Sequence, residues 1–281
     1  MDHVRWRSRP TLDRPVLIAA FEGWNDAGDA ASGAVRYLID RYGAELVAEI
    51  DPEDFFDFTS TRPQAEIDDD GARRIVWPTT EVYAAALPGD AGDVLLLIGT
   101  EPQLRWRTFC AQVTGLAREL GCRLLVILGA LVAEVPHSRP VPVVGTVTDP
   151  ALQADLGLRP STYQGPTGVV GVLSAACREV DLPAASLWAA VPTYVPTAPS
   201  PKAVLALLER TTEVLGTWVP TTELEIAAAA YERQVTELVQ EDDETSSYVS
   251  QLEERHDADD EEGAGRSLVE EVERFLRNRP D

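Results

Sequence analysis

Five continuous apolar runs constrain the fold of this chain more than any other feature. They are PVLIAAF (15–21), ELVAEI (45–50), DVLLLIG (93–99), RLLVILGAL (123–131) and ASLWAAV (185–191). Runs without polar alternation are typical of strands buried on both faces, as in a parallel sheet. Helix-length segments separate the runs, so we expect an α/β fold in which helices cover both faces of a mostly parallel sheet.

Apolar residues recur at helical spacing between these runs. The predicted helices span residues 27–42, 103–120, 166–180 and 201–215. In the third helix Pro166 stands in the first turn, where a proline is tolerated because the N–H that it lacks would have no partner within the helix.

The stretch from residue 52 to residue 82 interrupts this alternation. Short strand-like pieces flank the turn sequence DDDG (68–71), which predicts a β-hairpin excursion from the sheet. The aromatic cluster FFDF (55–58) would be unusual on a bare surface, so we expect it to pack against a second subunit.

Residues 217–281 are predicted to form an acidic helical appendage, a candidate lid, on an α/β domain of residues 1–216. Thr222 and Glu225 have the spacing of a capping box at the start of a helix. Twelve acids and one base lie between residues 237 and 262, which we interpret as a mobile linker before a last helix at 266–279. The expected buried stripe of the first helix is Leu224, Ala228, Tyr231, Val235 and Leu238.

The composition argues against several classes of protein. A net charge of −23 leaves no basic face for nucleic acid and disfavours anionic membranes. The three cysteines show no CxxC spacing, which is typical of buried thiols in a reducing cytosol. The polar start of the chain does not resemble a signal peptide, and no apolar run is long enough for a membrane span. We expect a soluble, cytoplasmic protein.

Polar residues follow three of the predicted strands, at the edge of an α/β sheet where ligands bind. Gly23, Asn25 and Asp26 follow the first strand, and Thr100 and Glu101 follow the third. If these turns converge with the turn after residue 128, they form a candidate pocket for a small ligand. Their acids, and the absence of GxGxxG and GxxxxGK[ST], argue against nucleotides. The alternative is that Asn25 or Asp26 caps the next helix.

Two further loops are candidates for the same pocket. His137 and Arg139 lie between prolines, where the histidine could act as a base and the arginine could bind an anion or pair with Glu101 or Glu134. Gly165 and Thr167 precede a helix start, where free N–H groups can bind an anion. Both loops also have a purely structural interpretation. The histidines lack the spacing of zinc ligands, so we expect no metal and no cofactor.

Taken in order, several stretches resemble the PAC2 family of proteasome-assembly-chaperone-like proteins, in its actinobacterial branch. They are FEGWNDAGDAA, GTEPQLRWRTF, GALVAEVPHSRPVPV, YQGPTGVVGVL and SLWAAVPTYVPTAPSPKAVLALLE, between about residues 15 and 215. The resemblance implies a fold like that of purine nucleoside phosphorylases and peptidyl-tRNA hydrolases. It also implies self-association, with a trimer favoured and the hairpin as contact element, but no reaction.

The chain departs from the family pattern at two places. Thr193 stands where the family commonly has histidine, so a catalytic role there is not expected. The sequence ends in RNRPD, whereas members that dock on proteasome rings often end in a hydrophobic residue, a tyrosine and one more residue, so docking by that tail is not expected.

Three functional hypotheses follow. The first is a non-enzymatic, homo-oligomeric binding or assembly protein whose partners are its own copies and proteasome subunits. The second is a hydrolase or transferase that uses the candidate pocket for an unknown small molecule, with the C-terminal helices as a lid. The third is an acidic tail that itself engages a basic partner electrostatically.

Overall fold

Four parallel strands form the centre of the molecule. The structure is a computed structural model that describes residues 2–261 apart from 69, 148, 150, 151, 154, 155 and 162. Strands β2 (Val16–Glu22) and β8 (Leu124–Ala133) lie side by side, with β7 (Asp93–Thr100) next to β2 and β10 (Ala184–Pro192) next to β8. All four run in one direction and are almost entirely buried, as their continuous apolar runs predict. The α/β prediction is confirmed.

Antiparallel strands complete both sides of this eight-stranded sheet. Its order is β1-β3-β6-β7-β2-β8-β10-β9. The outer strands are β1 (Val4–Trp6), β3 (Glu45–Ile50), β6 (Thr80–Ala86) and β9 (Val143–Val147). The apolar pattern of the run at 45–50 predicted a parallel strand. This prediction was wrong, because β3 pairs antiparallel with both β1 and β6. It points the same way as the central strands, but the reversed strand β6 separates it from β7.

Two helices cover each face of the sheet. Helices α1 (Ala30–Tyr42) and α4 (Pro201–Leu215) pack on one face, and α2 (Trp106–Glu119) and α3 (Val169–Glu179) pack on the other. All four predicted helices are therefore present. The position of Pro166 was wrong, because α3 begins only after Gly168 and the proline lies in the preceding loop. In α4 the Ser200 side chain accepts a hydrogen bond from the N–H of Ala203 and caps the helix.

The predicted excursion contains a small hairpin of β4 (Gln64–Ile67) and β5 (Arg73–Val76), which form a sheet of their own. Cross-strand pairing places Ala65 opposite Ile75 and Ile67 opposite Arg73, so these four side chains share one face. The opposite face carries an ion pair between Glu66 and Arg74 at 2.8 Å. The hairpin thus has a charged face and a largely apolar face, and Ile67 on the latter is 68% exposed.

The aromatic cluster before the hairpin packs within its own subunit, so the expectation that it meets a second subunit was wrong. Phe55 and Phe56 are buried in the core beneath α2. The Phe55 ring meets the edges of Phe109, at 5.3 Å between centroids, and of His3, at 5.0 Å. Residues 52–58 follow β3 directly, so the chain turns back into the core before the hairpin projects from it.

The C-terminal region described by the structure is helical. Helix α5 (Thr222–Gln240) packs on α4, and α6 (Asp243–Glu261) packs on α5. The acidic segment interpreted as a mobile linker therefore belongs largely to a helix. The predicted capping box of Thr222 and Glu225 was wrong. Thr221 precedes the helix without capping it through its side chain, and its hydroxyl donates to the Glu225 carboxylate at 2.6 Å. The predicted helix at 266–279 lies outside the described residues.

Three residues of the predicted stripe of α5 are buried, Ala228, Tyr231 and Val235, and Leu224 is half-buried. Leu238 is 55% exposed and Val239 takes the buried place beside it. An α-helix has 3.6 residues per turn, so counting along it in steps of three and four residues can miss the buried position by one residue. Within the described part of the chain, no helix combines the length and the apolar character that a membrane crossing requires.

We predict that Phe55→Ala destabilises the folded subunit without changing its self-association. Removing a fully buried ring should lower the free energy of unfolding by about 3–5 kcal/mol. Chemical denaturation and analytical ultracentrifugation would measure the two properties. The exposed Leu104→Ala should change stability by less than about 0.5 kcal/mol. A dissociated oligomer with unchanged subunit stability would contradict the assignment of Phe55 to the core.

Candidate functional site

Two turns and the start of a helix meet at the carboxyl edge of the central strands. The predicted turn after residue 128 was wrong, because residues 129–131 continue strand β8. The Asn25 side-chain amide after β2 donates to Glu101 Oε1 after β7 at 3.0 Å. The N–H of Val169 at the start of α3 donates to the same oxygen at 2.8 Å, and the N–H of Ala130 in β8 donates to the carbonyl of Asn25 at 2.8 Å. A single carboxylate thus connects the turn after β2, the turn after β7 and the N-terminus of α3.

Asp26 provides the N–H groups of α1 with an acceptor. Its Oδ1 accepts hydrogen bonds from the N–H of Ala31 at 2.7 Å and of Ser32 at 3.1 Å. Burial raises the pKa of Asp26, and burial likewise raises that of Glu101 against the lowering effect of its hydrogen bonds. Asp26 Oδ2 and Asn25 Oδ1 are buried and have no hydrogen-bond partner among the described residues. The helix-capping interpretation accounts for Asp26 Oδ1, whereas these two oxygens remain candidates for contact with a ligand or water.

Glycines allow the turns to approach each other closely. Gly23 has a φ of +115°, a conformation that other residues rarely adopt. A Cβ on Gly168 would lie 2.5 Å from Asn25 Nδ2 and 2.7 Å from Glu101 Oε1. The start of α3 therefore approaches Asn25 and Glu101 only because residue 168 has no side chain.

Thr100 faces a different space from Asn25 and Glu101. Its hydroxyl donates to Glu22 Oε2 at 3.1 Å, and Arg36 of α1 forms an ion pair with the same carboxylate. This side of the sheet has an open cleft of about 460 Å³. Its lining comprises Glu22, Arg36, Ile39, Asp40, Trp77, Thr79, Glu81, Tyr83, Ile98, Gly99 and Thr100.

Gly165 and Thr167 are exposed in the loop before α3. The loop is closed by a hydrogen bond from the Tyr163 hydroxyl to the carbonyl of Pro166 at 2.7 Å. Within the described part of the chain, neither Gly165 nor Thr167 forms a hydrogen bond with Asn25 or Glu101. Their role in binding stays a prediction.

His137 lies in a second polar cluster, which the structure does not connect to Asn25 or Glu101 by any described hydrogen bond. The Tyr194 hydroxyl accepts from the His137 backbone N–H at 2.7 Å, so its own hydrogen goes to Nδ1 at 2.8 Å. Thr236 of α5 donates its hydroxyl hydrogen to the carbonyl of Glu232, which leaves its oxygen to accept from His137 Nε2 at 3.0 Å. This network assigns a neutral ring with the hydrogen on Nε2.

Arg139 does not pair with Glu101 or Glu134, as had been considered, but with the C-terminal helix. Two of its nitrogens contact the carboxylate of Asp257 in α6, each at 2.7 Å. Glu134 instead forms an ion pair with Arg255 of α6 at 3.1 Å. An acidic helix with few apolar residues shows no register in its sequence, so the partners of Arg139 and Glu134 could not be predicted.

The residues that complete this second cluster are ones the sequence did not single out. Tyr194 binds His137, and Lys202 donates to the carbonyl of His137 at 2.6 Å and forms an ion pair with Glu232 of α5. Lys202 is the single lysine of the chain, and its side chain is only 17% exposed. The sequence could have drawn attention to Lys202 as a lone lysine at the start of a helix that follows a buried strand. Composition alone, however, does not predict which residues contact it.

The described residues offer little that is typical of an active site. Cys110 and Cys177 are buried and Cys122 is half-buried, and burial raises the pKa of each thiol to about 12, so all three stay protonated. No group of histidine, cysteine, aspartate and glutamate residues in the described part of the chain has the arrangement of a metal site. His137 has both ring nitrogens occupied by hydroxyl groups.

Comparison with known proteins decides the family. The model of the PAC2 family matches residues 20–239. The chain belongs to the PAC2 family. A PAC2 family protein from Streptomyces avermitilis is 46% identical, with a TM-score of 0.79 over 84% of this chain and 99% of the other.

Two mycobacterial structures extend the comparison of this PAC2 protein. A Mycobacterium tuberculosis proteasome-assembly chaperone homologue is 45% identical, with a TM-score of 0.76 over 83% of this chain and 99% of the other. A Mycobacterium tuberculosis protein of unknown function is 31% identical, with a TM-score of 0.84 over 98% of this chain and 95% of the other. A comparison with curated proteins gave no significant match.

We predict that Gly168→Ala weakens the junction of these two turns with the start of α3. The added methyl group would force Asn25 and Glu101 away from the start of α3, at a cost of about 1–3 kcal/mol in the free energy of unfolding. Urea denaturation would measure this loss. The φ of −86° at Gly168 is accessible to alanine, so the loss would come from these contacts and not from the backbone. Gly43→Ala measures a backbone cost alone, about 1–2 kcal/mol at a φ of +58° with nothing within 4 Å of its Cβ position. A loss below about 0.5 kcal/mol in Gly168→Ala would contradict the steric argument.

We predict that stability falls as the pH falls below about 6.5, the ordinary pKa of histidine. Burial, with a further contribution from Lys202, lowers the pKa of His137 in the folded state, against the opposing effect of Glu232 and Glu253. The unfolded chain therefore binds the proton more readily than the folded protein. As the pH falls from 6.5 to the lower pKa of folded His137, the contribution of the neutral ring to the free energy of unfolding is lost. Thermal unfolding between pH 5 and 7.5 would measure it.

His137→Gln is the control for this pH dependence. Glutamine keeps a donor and an acceptor but does not titrate. The variant should therefore be less stable, and its stability should depend less on pH between 5 and 7. An unchanged slope in the variant would assign the pH dependence to another group.

Proposed function

We propose that this protein is a non-enzymatic, homo-oligomeric PAC2 protein that assists proteasome assembly, with a trimer as its working form. The observation that carries the proposal is the 45% identity with a proteasome-assembly chaperone homologue, over nearly the whole of that chain. The chemistry of the described residues agrees with a binding role, because the thiols are protonated and the polar groups at the sheet edge bind one another.

The hairpin of β4 and β5 is the proposed contact between subunits. A two-stranded sheet is marginally stable by itself, and this one lies outside the main sheet. Ile67 and Ile75 are 68% and 49% exposed on its apolar face, and the adjoining Trp77 is 45% exposed. Exposed apolar residues gathered on one face are typical of a protein interface. The resemblance to the PAC2 family, which implies self-association, supports a second copy of this chain as the proposed occupant.

We predict that Ile75→Asp dissociates the oligomer. A charge on the apolar face opposite Ala65 should raise the dissociation constant at least about ten-fold, because alanine cannot pair with it when the face is buried. Gln64→Asp is the matched control, since it adds the same charge to the same hairpin on the opposite face. Native mass spectrometry and sedimentation equilibrium would measure the oligomer. Equal effects of both variants, or a monomeric parent protein, would contradict the contact.

The assembly role has its own test. Proteasome α and β subunits from the same organism, mixed in unassembled form, should mature faster when the purified protein is present, and native gels would follow the intermediates. A stable complex with either subunit is the second expected result. An unchanged rate with no complex would contradict the role in proteasome assembly, even if the hairpin mediates an oligomer.

A further inference from the structure

The loop after β8 binds carboxylates that belong to the C-terminal helix. Asp257 of α6 receives two hydrogen bonds of 2.7 Å from the guanidinium of Arg139, which is the bidentate geometry of a specific arginine–carboxylate pair. Glu253, one turn earlier, accepts a hydrogen bond from the Ser138 hydroxyl and lies 3.7 Å from Arg139. Two successive turns of α6 therefore place one carboxylate each on neighbouring residues of the loop.

Apolar contacts continue this surface along the helix. Val249 of α6 is 4% exposed and belongs to a small apolar cluster with Val195 and with residues of α5. The Tyr248 ring meets the edge of Tyr194 at 6.3 Å between centroids, and its hydroxyl lies 3.4 Å from that of Thr193. The surface thus contacts Val249, Glu253 and Asp257 of α6, which are one apolar residue and two carboxylates spaced four residues apart.

The helix that fills this surface is unusual for a packed element. Between Asp243 and Glu261 it carries eight acids and one arginine. That arginine, Arg255, is the cation of an ion pair with Glu134 of the loop at 3.1 Å. The helix buries only two large apolar side chains, Val249 and Leu252, among its described residues, so Ser138 and Arg139 add specific polar contacts to a small apolar one.

We propose that Ser138, Arg139 and the apolar surface of Tyr194 and Val195 form a binding site for an acidic helical segment of a partner protein, which α6 occupies until the partner replaces it. The ligand class follows from the occupant, since the site holds two carboxylates one helical turn apart beside an apolar anchor. The inference rests on the proposed binding role, but it does not require the partner to be a proteasome subunit.

Replacement is a matter of competition between two segments for one surface. A partner gains access only in the fraction of molecules in which α6 is displaced, so its apparent affinity is reduced by that fraction. Weakening the contacts of α6 therefore strengthens binding in trans. A structural role of α6 alone predicts no such gain.

The test uses the full chain and a labelled peptide of residues 243–258 as the partner probe. Glu253→Gln combined with Asp257→Asn should release α6 and increase the affinity for the peptide about ten-fold over the parent protein. Glu244→Gln combined with Glu254→Gln removes the same charge from the same helix. Both of these residues are exposed and have no ion pair in the described part of the chain, so this control should bind as the parent does.

Three results would overturn the proposal. Fluorescence anisotropy could show equal affinities for the released variant and its control. Adding Arg139→Gln to the released variant could leave peptide binding unchanged, which would mean that the peptide does not bind at this loop. Hydrogen exchange of α6 amides could stay as slow in the released variant as in the parent, which would mean that the carboxylates do not hold the helix. Assembly activity toward proteasome subunits enters none of these measurements, so the two proposals fail separately.

Discussion

The carboxylate of Glu101 is the interaction on which the edge of the sheet depends. It binds the amide of Asn25 and the first N–H of α3 through one oxygen, at 3.0 and 2.8 Å. A buried carboxylate is costly unless hydrogen bonds stabilise its charge, and here a helix N-terminus adds a favourable dipole. The bond also fixes the direction in which α3 leaves its loop, and α3 in turn covers half of one face of the sheet.

The layered fold was predictable because burial on both faces leaves a simple trace in the sequence. The five apolar runs all became strands, and the three predicted helices between them and the one after the last run are present. Strand direction at 45–50 left no such trace, since an apolar strand looks alike beside parallel and antiparallel neighbours. The cluster at 55–58 was placed in an interface because a sequence pattern does not show which side of a loop faces the core.

The candidate site was predictable only where it follows from topology. Residues after parallel strands must meet at one edge, and Asn25 and Glu101 do. Thr100 is adjacent to Glu101, yet its side chain points to the other face because strand residues alternate. The partners of Arg139 depended on the register of α6, which an acidic helix with little apolar pattern does not reveal.

The single lysine of this chain has a chemical consequence. Lys202 is the sole side-chain amine in the sequence, and it is engaged by Glu232 and by the carbonyl of His137. Amine-reactive cross-linkers therefore have one internal target, and enzymes that attach a tag to lysine must first reach a group that is 17% exposed. A protein whose other basic side chains are arginines and histidines is thereby shielded from most lysine-directed modification while it stays folded.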